Sequence, residues 1–291
     1  MGVSVSVIGI SCFGFVSGFD IRISSFCSDE LCSKEHCMLR SEKTVLCIEA
    51  HPDDAEFLCA GTLALLRQRG WEVHIASVTP GDCGTVQYSR EEISRIRKGE
   101  AARAAAILDG QYHCLECDDA FIMYDRPTLT KAIALVRKVR PTIVLTLSPT
   151  DYMVDHETAS RLAQSACFCC GVINIETPGA EGFEPIPHLY YADPMEGKDT
   201  LGREIRPSMV VDVTSTMDVK EKMLCCHESQ RDWLLKHHGM DEYVKMMHAL
   251  GAKRGGLIGA RFAEGFRQHL GHAYPQDNIL KKELGNLVHM P

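Results

Sequence analysis

"VLCIEAHPDDAEFLCAGTLALL" occupies residues 45–66. An apolar run breaks into His51-Pro52-Asp53-Asp54, and a second apolar run follows at once. Residues 44–50 are short, apolar on both faces and rich in β-formers, which predicts a buried strand. From 56 to 69 the apolar positions Phe57, Ala60, Leu63, Ala64 and Leu66 recur at helical spacing, and Gly70 marks the stop. A buried strand that runs into a helix through one imidazole and two carboxylates is the unit from which the rest of the chain is read.

Further along, "EVHIASVT" (72–79) predicts a second strand, and "PGDCGTVQY" a glycine-rich loop. Ser89-Arg90-Glu91-Glu92 has the form of a capping box and opens a helix that runs to about Leu108. A short strand is expected near 111–116, a helix over 128–139, a strand at "TIVLTL" (142–147) and a helix over 155–170. Strands near 188–192 and 209–213 follow, then helices over 215–238 and 241–250. Strands that alternate with helices, each strand apolar on both faces, predict an α/β fold. The expected form is a Rossmann-like, doubly wound, mostly parallel sheet with helices on both faces. Residues 41–291 read as one domain, with 174–187 and 193–208 as surface loops. Residues 1–40 read as an N-terminal extension. Its apolar stretch "VSVSVIGISCFGFVSGF" has no Lys or Arg before it and no small-x-small site after it, so a signal peptide is the weaker reading and an extra strand a further one. Met38, just before the first convincing strand, is a candidate start.

The 291 residues are 45% hydrophobic and 24% charged, with a net charge of −8. No basic stretch is dense enough to follow a phosphate backbone, so no nucleic acid is expected as partner. No apolar run reaches the roughly 18 residues of a membrane helix, so no integral membrane segment is expected. The 14 cysteines form no even ladder. Cys47, Cys59, Cys83, Cys167, Cys169 and Cys170 lie in apolar or helical runs and read as reduced, buried thiols of a cytoplasmic protein. Cys27, Cys32 and Cys37 have a spacing that matches no zinc pattern.

In doubly wound sheets ligands bind beyond the carboxyl ends of the strands, at the switch point. His51-Pro52-Asp53-Asp54 directly follows the first strand, and "SPTDYMVDHET" (148–158) directly follows the strand at 142–147. If those strands are neighbours, His51, Asp53, Asp54, Asp151, Asp155 and His156 converge. Two histidines and an aspartate suit zinc, and three protein ligands leave one position open. Water on such a cation has its pKa drawn down to about 7, and a free carboxylate beside it can take the proton. Since Asp53 and Asp54 are adjacent, one can bind metal while the other serves as base. The plainer reading makes them helix caps and dipole partners. Elsewhere the signals are weaker. "CFCC" (167–170) and "CCH" (225–227) read as buried helix positions rather than a second metal site, and "GDCGT" (81–85) lacks the lysine of a P-loop. The Met and His residues of 236–250 read as packing.

"AHPDDAE" (50–56), Asp155-His156 and the intervening Arg97-x-x-Glu100 together resemble the LmbE-like, or GlcNAc-phosphatidylinositol de-N-acetylase (PIG-L), family. The resemblance spans roughly 43–270. It implies a Rossmann-like fold and zinc-dependent N-deacetylation of an N-acetylglucosamine-type sugar or glycoconjugate, with one Zn2+ per chain. Carried over by motif, His51, Asp54 and His156 would be the metal ligands and Asp53 the general base. One position departs from the pattern. The family segment reads H-P-D-H, and this chain has Met153-Val154-Asp155-His156. A thioether gives no proton to a leaving amine. The favoured substitute is His227, in "CCHESQ", which is similar to the family's H-x-S-Q segment; Tyr152 and Arg97 are the others. The plainer readings are a structural helix residue for His227 and an ion pair with Glu100 for Arg97. Arg97, Tyr152 and Asp155 are expected at the substrate, and a homo-oligomer is a further expectation that the sequence does not specify. Two rivals stand: another metallohydrolase acting on esters or phosphates, and a degenerate binder without turnover. An intact Asp53 argues against the second, because binding alone does not need a base.

Overall fold

Six consecutive buried residues make β1 (Thr44–Glu49) a central strand, covered on both faces. The structure is a computed structural model, and it describes residues 43–231 and 242–291. β1 pairs in parallel with β2 (Glu72–Ser77) on one side and with β4 (Ile143–Thr146) on the other. Outside these, β3 (Gln111–Cys114) joins β2 and β5 (His188–Ala192) joins β4, again in parallel. Beyond β5 the direction reverses. β7 (Ala263–Gln268), β6 (Met209–Asp212) and the two-residue β8 (Val288–His289) complete an eight-stranded sheet in the order β3-β2-β1-β4-β5-β7-β6-β8. The mostly parallel, doubly wound sheet expected from the alternating pattern is therefore present, with an antiparallel end.

The helices pack around this sheet. α1 (Asp54–Leu58) and α2 (Ala60–Gln68) follow β1, α3 (Arg90–Ala106) follows β2, α4 (Arg126–Val139) follows β3 and α5 (Val154–Cys169) follows β4. α6 (Met217–Leu224), α7 (Glu242–Gly255) and α8 (Ile279–Leu284) come from the C-terminal part. α4 lies against α5, and α2 against α6. The capping box forms as expected: Ser89 Oγ accepts from Glu92 N, and Glu92 accepts from Ser89 N. Among the described residues no helix is long and apolar enough to cross a membrane.

Two elements differ from the pattern. The helix expected over 56–69 breaks at Cys59, which has φ −124° and ψ −11°. There the Glu264 carboxylate reaches in from β7 and accepts from Gly61 N at 2.9 Å and Thr62 N at 2.8 Å, so α2 starts with its own N-terminal donors satisfied. Lys220 Nζ, 2.5 Å from Glu264 Oε1, balances the buried charge. The helix expected over 215–238 ends at Leu224, and a helical turn at 228–231 resumes after a break. The rest of that helix, the extension 1–40, Met38 and the Cys27, Cys32 and Cys37 group lie outside the described residues.

Because Ile48 of β1 is in register with Thr146 of β4, the two strands end side by side. His51 then stands three residues beyond Ile48, and Asp151 five beyond Thr146. The chain turns to β2 from one side of β1 and reaches β4 on the other, so this edge is the switch point.

Candidate active site

Asp53 sits between β1 and α1 with φ 110° and ψ −24°, a conformation that costs an L-residue free energy. Its side chain makes no capping hydrogen bond, so the helix-cap reading does not describe it. Instead the buried carboxylate lies 3.4 Å from Arg97 Nη2 and accepts from the Tyr243 hydroxyl. Burial pushes the Asp53 pKa up, with Asp54 adding to the rise and Arg97 opposing it. Asp54 faces another way. Its Oδ2 accepts from His51 N at 2.8 Å and lies 3.3 Å from His51 Nδ1, while Oδ1 lies 3.5 Å from His156 Nε2. His51, Asp54 and His156 each offer a ligand atom within 4.8 Å of the others, and all three are buried.

The far nitrogen of each ring is also faced by carboxylate. His156 Nδ1 hydrogen-bonds Asp151 Oδ1 at 3.1 Å. His51 Nε2 lies 3.1 Å from Asp119 Oδ1 and 3.5 Å from Asp155 Oδ2. Such partners orient a ligating imidazole and make it more basic. Burial disfavours the charged rings, but the surrounding carboxylates outweigh it and raise both histidine pKa values above the usual range. Asp54 is drawn far below the usual carboxylate range, because His156 and His51 overcome its burial. The chemistry of this donor set tests whether a cation fits. If each ring turns its N–H outward to its carboxylate, Nδ1 of His51 and Nε2 of His156 point lone pairs at an anionic Asp54. Three acceptors held this close and away from water are reconciled by extra protons or by a cation, and the set suits zinc.

Arg97 builds the other side of the site. Its guanidinium donates to Pro52 O at 2.9 Å and Gly81 O at 3.1 Å, besides facing Asp53. It is not paired with Glu100, whose carboxylate accepts from Ser229 N and Ser229 Oγ. The glycine-rich loop makes room for it. A Cβ at Gly81, which has φ +70°, would stand 2.2 Å from Arg97 Nη1, and one at Gly84 would stand 2.7 Å away. These glycines admit a guanidinium rather than cradle a phosphate. Above the floor opens a cleft of about 360 Å³, within the usual size for small-molecule sites. Tyr152, Met153, Gln230, Met195, Tyr243 and Met246 line it beside the floor residues. The Tyr152 ring stands edge-on to His156, with centroids 5.4 Å apart.

Three expectations change. His227 is fully buried and does not line the cleft. Its Nε2 is 3.4 Å from Glu56 Oε2 without forming an aligned hydrogen bond. Asp155 does not face the cleft either; it lies behind His51 and accepts from Ala120 N at 2.8 Å. Cys83, read as buried, is exposed on its loop. Sequence reasoning missed Asp119, Tyr243 and Gln230. Asp119 had a topological signal, since it follows β3 at the same sheet edge, whereas Tyr243 is one aromatic in a helix and had none. Among the described residues the other ligand groups are Cys47 with Glu49 and Cys59, His51 with Asp119 and Asp155, and Asp82 with Cys83 and Asp119. Neither Cys167–Cys170 nor Cys225–His227 forms such a group.

Comparison with known proteins places this geometry in context. Residues 46–167 match the profile of PIG-L, described as GlcNAc-PI de-N-acetylase. The diacetylchitobiose deacetylase of Thermococcus kodakarensis is 29% identical over 238 residues, 77% of this chain and 82% of that protein. The 4-oxalmesaconate hydratase of Pseudomonas putida is 27% identical over 261 residues, 83% of this chain and 95% of that protein. Among solved structures, the N,N'-diacetylchitobiose deacetylase of Pyrococcus horikoshii superposes with a TM-score of 0.67 at 26% identity, covering 81% of this chain and 88% of that one.

Proposed function

Because the chain carries a PIG-L family domain over residues 46–167, we propose that it is a zinc-dependent amidase that removes the acyl group from an N-acylated amino sugar or its conjugate. One observation carries this reading: a buried His51, Asp54 and His156 triad shares the cleft floor with a second carboxylate, Asp53, held by Arg97 and Tyr243 instead of by the triad. His51, Asp54 and His156 would hold one divalent cation. When bound, it supplies a Lewis acid for water and for the amide carbonyl.

The chain's own groups do the rest. Asp53 accepts the proton of the attacking water, and Arg97 and Tyr243 fix its carboxylate for that transfer. Met153 has no proton to give the leaving nitrogen, and His227 is too deep to reach it. Asp53, protonated by the first transfer and facing the same cleft, is the group placed to return the proton and release the amine. Asp119, Asp151 and Asp155 keep the two imidazoles oriented. Tyr152 covers the outer side of His156.

Amine release from a panel of N-acetylated sugars, measured with zinc-reconstituted protein and with Asp53→Asn as control, tests the reading. Release by wild type and loss in the variant support it; no release from any member by fully metallated protein overturns it. A second reading, addition of water to a double bond, is favoured by the long alignment with a hydratase. Consumption of an unsaturated acid without amine release would select it.

A further inference from the structure

The cleft is divided by polarity. Its floor is His51, Asp53, Asp54, Arg97, Asp119 and His156, all buried and already paired. Its mouth carries thioethers and rings: Met153, Met195 and Met246 from three separate segments, with Tyr152 and Tyr243, while the buried Phe57 lines it from the core. Met246 is 44% exposed and Tyr152 58% exposed, so these two face the opening, while Met195 and Tyr243 also pack against the core. Thioethers are weak acceptors and no donors. The Tyr243 hydroxyl is spent on Asp53. Among the described residues, apart from the Tyr152 hydroxyl and the Gly84 backbone, Gln230 is the side-chain hydrogen-bonding group left at the mouth, and its Oε1 is buried with no partner among them. A bare acetamido sugar brings several hydroxyls into this space and finds few partners among the described residues, and unpaired polar groups cost affinity. An apolar group is matched by the thioethers and rings above the floor, and methionine's flexible side chain adapts to such groups.

We infer that the site takes an N-acyl amine bearing an apolar group larger than methyl beside the scissile amide, on either the acyl side or the aglycone side, with Met153, Met195 and Met246 as the specificity-determining contacts. The inference deepens the amidase reading and rests on it for the position of the amide. It also gives position 153 a use: the side chain there meets an apolar substituent.

Calorimetric binding to the zinc-reconstituted protein tests this without requiring turnover. One arm is a series of N-alkyl glucosamines from ethyl to octyl, which contain no amide to cleave. The other is a series of alkyl glycosides of glucosamine over the same lengths. In one arm affinity is expected to rise about fourfold per buried methylene until the cleft is filled, and the responding arm identifies the side that carries the apolar group. Met153→Gln, Met195→Gln and Met246→Gln should each flatten that slope. A flat or falling slope in both arms, no binding in either, or a slope unchanged in all three variants overturns the inference. Amine release from N-acyl glucosamines, followed in parallel, separates the two failures. Release that is fastest for acetyl, with no slope in binding, leaves the amidase reading and removes this one. A slope with no release from any acyl chain keeps the apolar site and removes the amidase.

Discussion

Asp53 and Asp54 are adjacent in sequence and face opposite ways, one toward Arg97 and Tyr243, the other toward two imidazoles. Asp53→Asn is therefore expected to keep its metal and lose about 10²–10⁴-fold in turnover, while Asp54→Asn loses the metal itself. Metal analysis beside amine release reads both, and the reverse pattern would exchange their roles. His227 behaves as a structural residue, because its ring is buried against Glu56. Truncation to His227→Ala leaves that carboxylate uncompensated and should lower stability by roughly 3–5 kcal/mol in a urea titration. A variant that folds as stably as wild type but turns over far more slowly would return His227 to the chemistry. At this scale the convergence of His51, Asp54 and His156 was legible, since the two loops that carry them follow matched strand ends. Depth was not. The "CCHESQ" segment names a histidine but not whether it faces a cleft or a core, and Met153 announces a missing donor without showing what stands in its place.

At the scale of the element, β2 and β3 carry a second device. His74 and His113 stack with centroids 5.2 Å apart, Nδ1 of one 2.9 Å from Nε2 of the other, and Glu72 holds the far side of His74. Burial, aided by His74 and Lys138, pushes the His113 pKa down to about 4. An unfolded histidine titrates near 6.5, so between about pH 6.5 and 4 the unfolded chain binds the extra proton. The contribution is complete above about pH 6.5 and is lost as pH falls toward 4. Solvent screening reduces it to the order of 1–2 kcal/mol. Urea midpoints at pH 7.5 and pH 4.5 should differ less for His113→Gln than for wild type, and an equal difference would show that the ring is not held neutral. The elements themselves were read well where burial is two-sided, as in β1 and β4, whose apolar runs have one explanation. β7 was missed because "AEGFRQ" looks like a loop. Its Glu264 is buried only because α2 and Lys220 come to meet it, and such tertiary satisfaction leaves no local pattern. The same contact explains the unforeseen break at Cys59.

Across the whole molecule, the order β2-β1-β4 puts two short loops from distant parts of the chain against each other. This arrangement was inferable because parallel strands with intervening helices permit few topologies. The antiparallel end, β7-β6-β8, was not, since its strands are short and partly charged. That the β1 and β4 loops converge on one cation is the premise of the proposed amidase. Anomalous diffraction at the zinc edge, from crystals of the full chain equilibrated with zinc, tests it most directly. The expected result is one strong peak per chain within coordination distance of His51 Nδ1, Asp54 and His156 Nε2, with Asp53 outside the coordination shell. Peaks confined to Cys47, Glu49 and Cys59, or no peak between the two loops at saturating zinc, would contradict it.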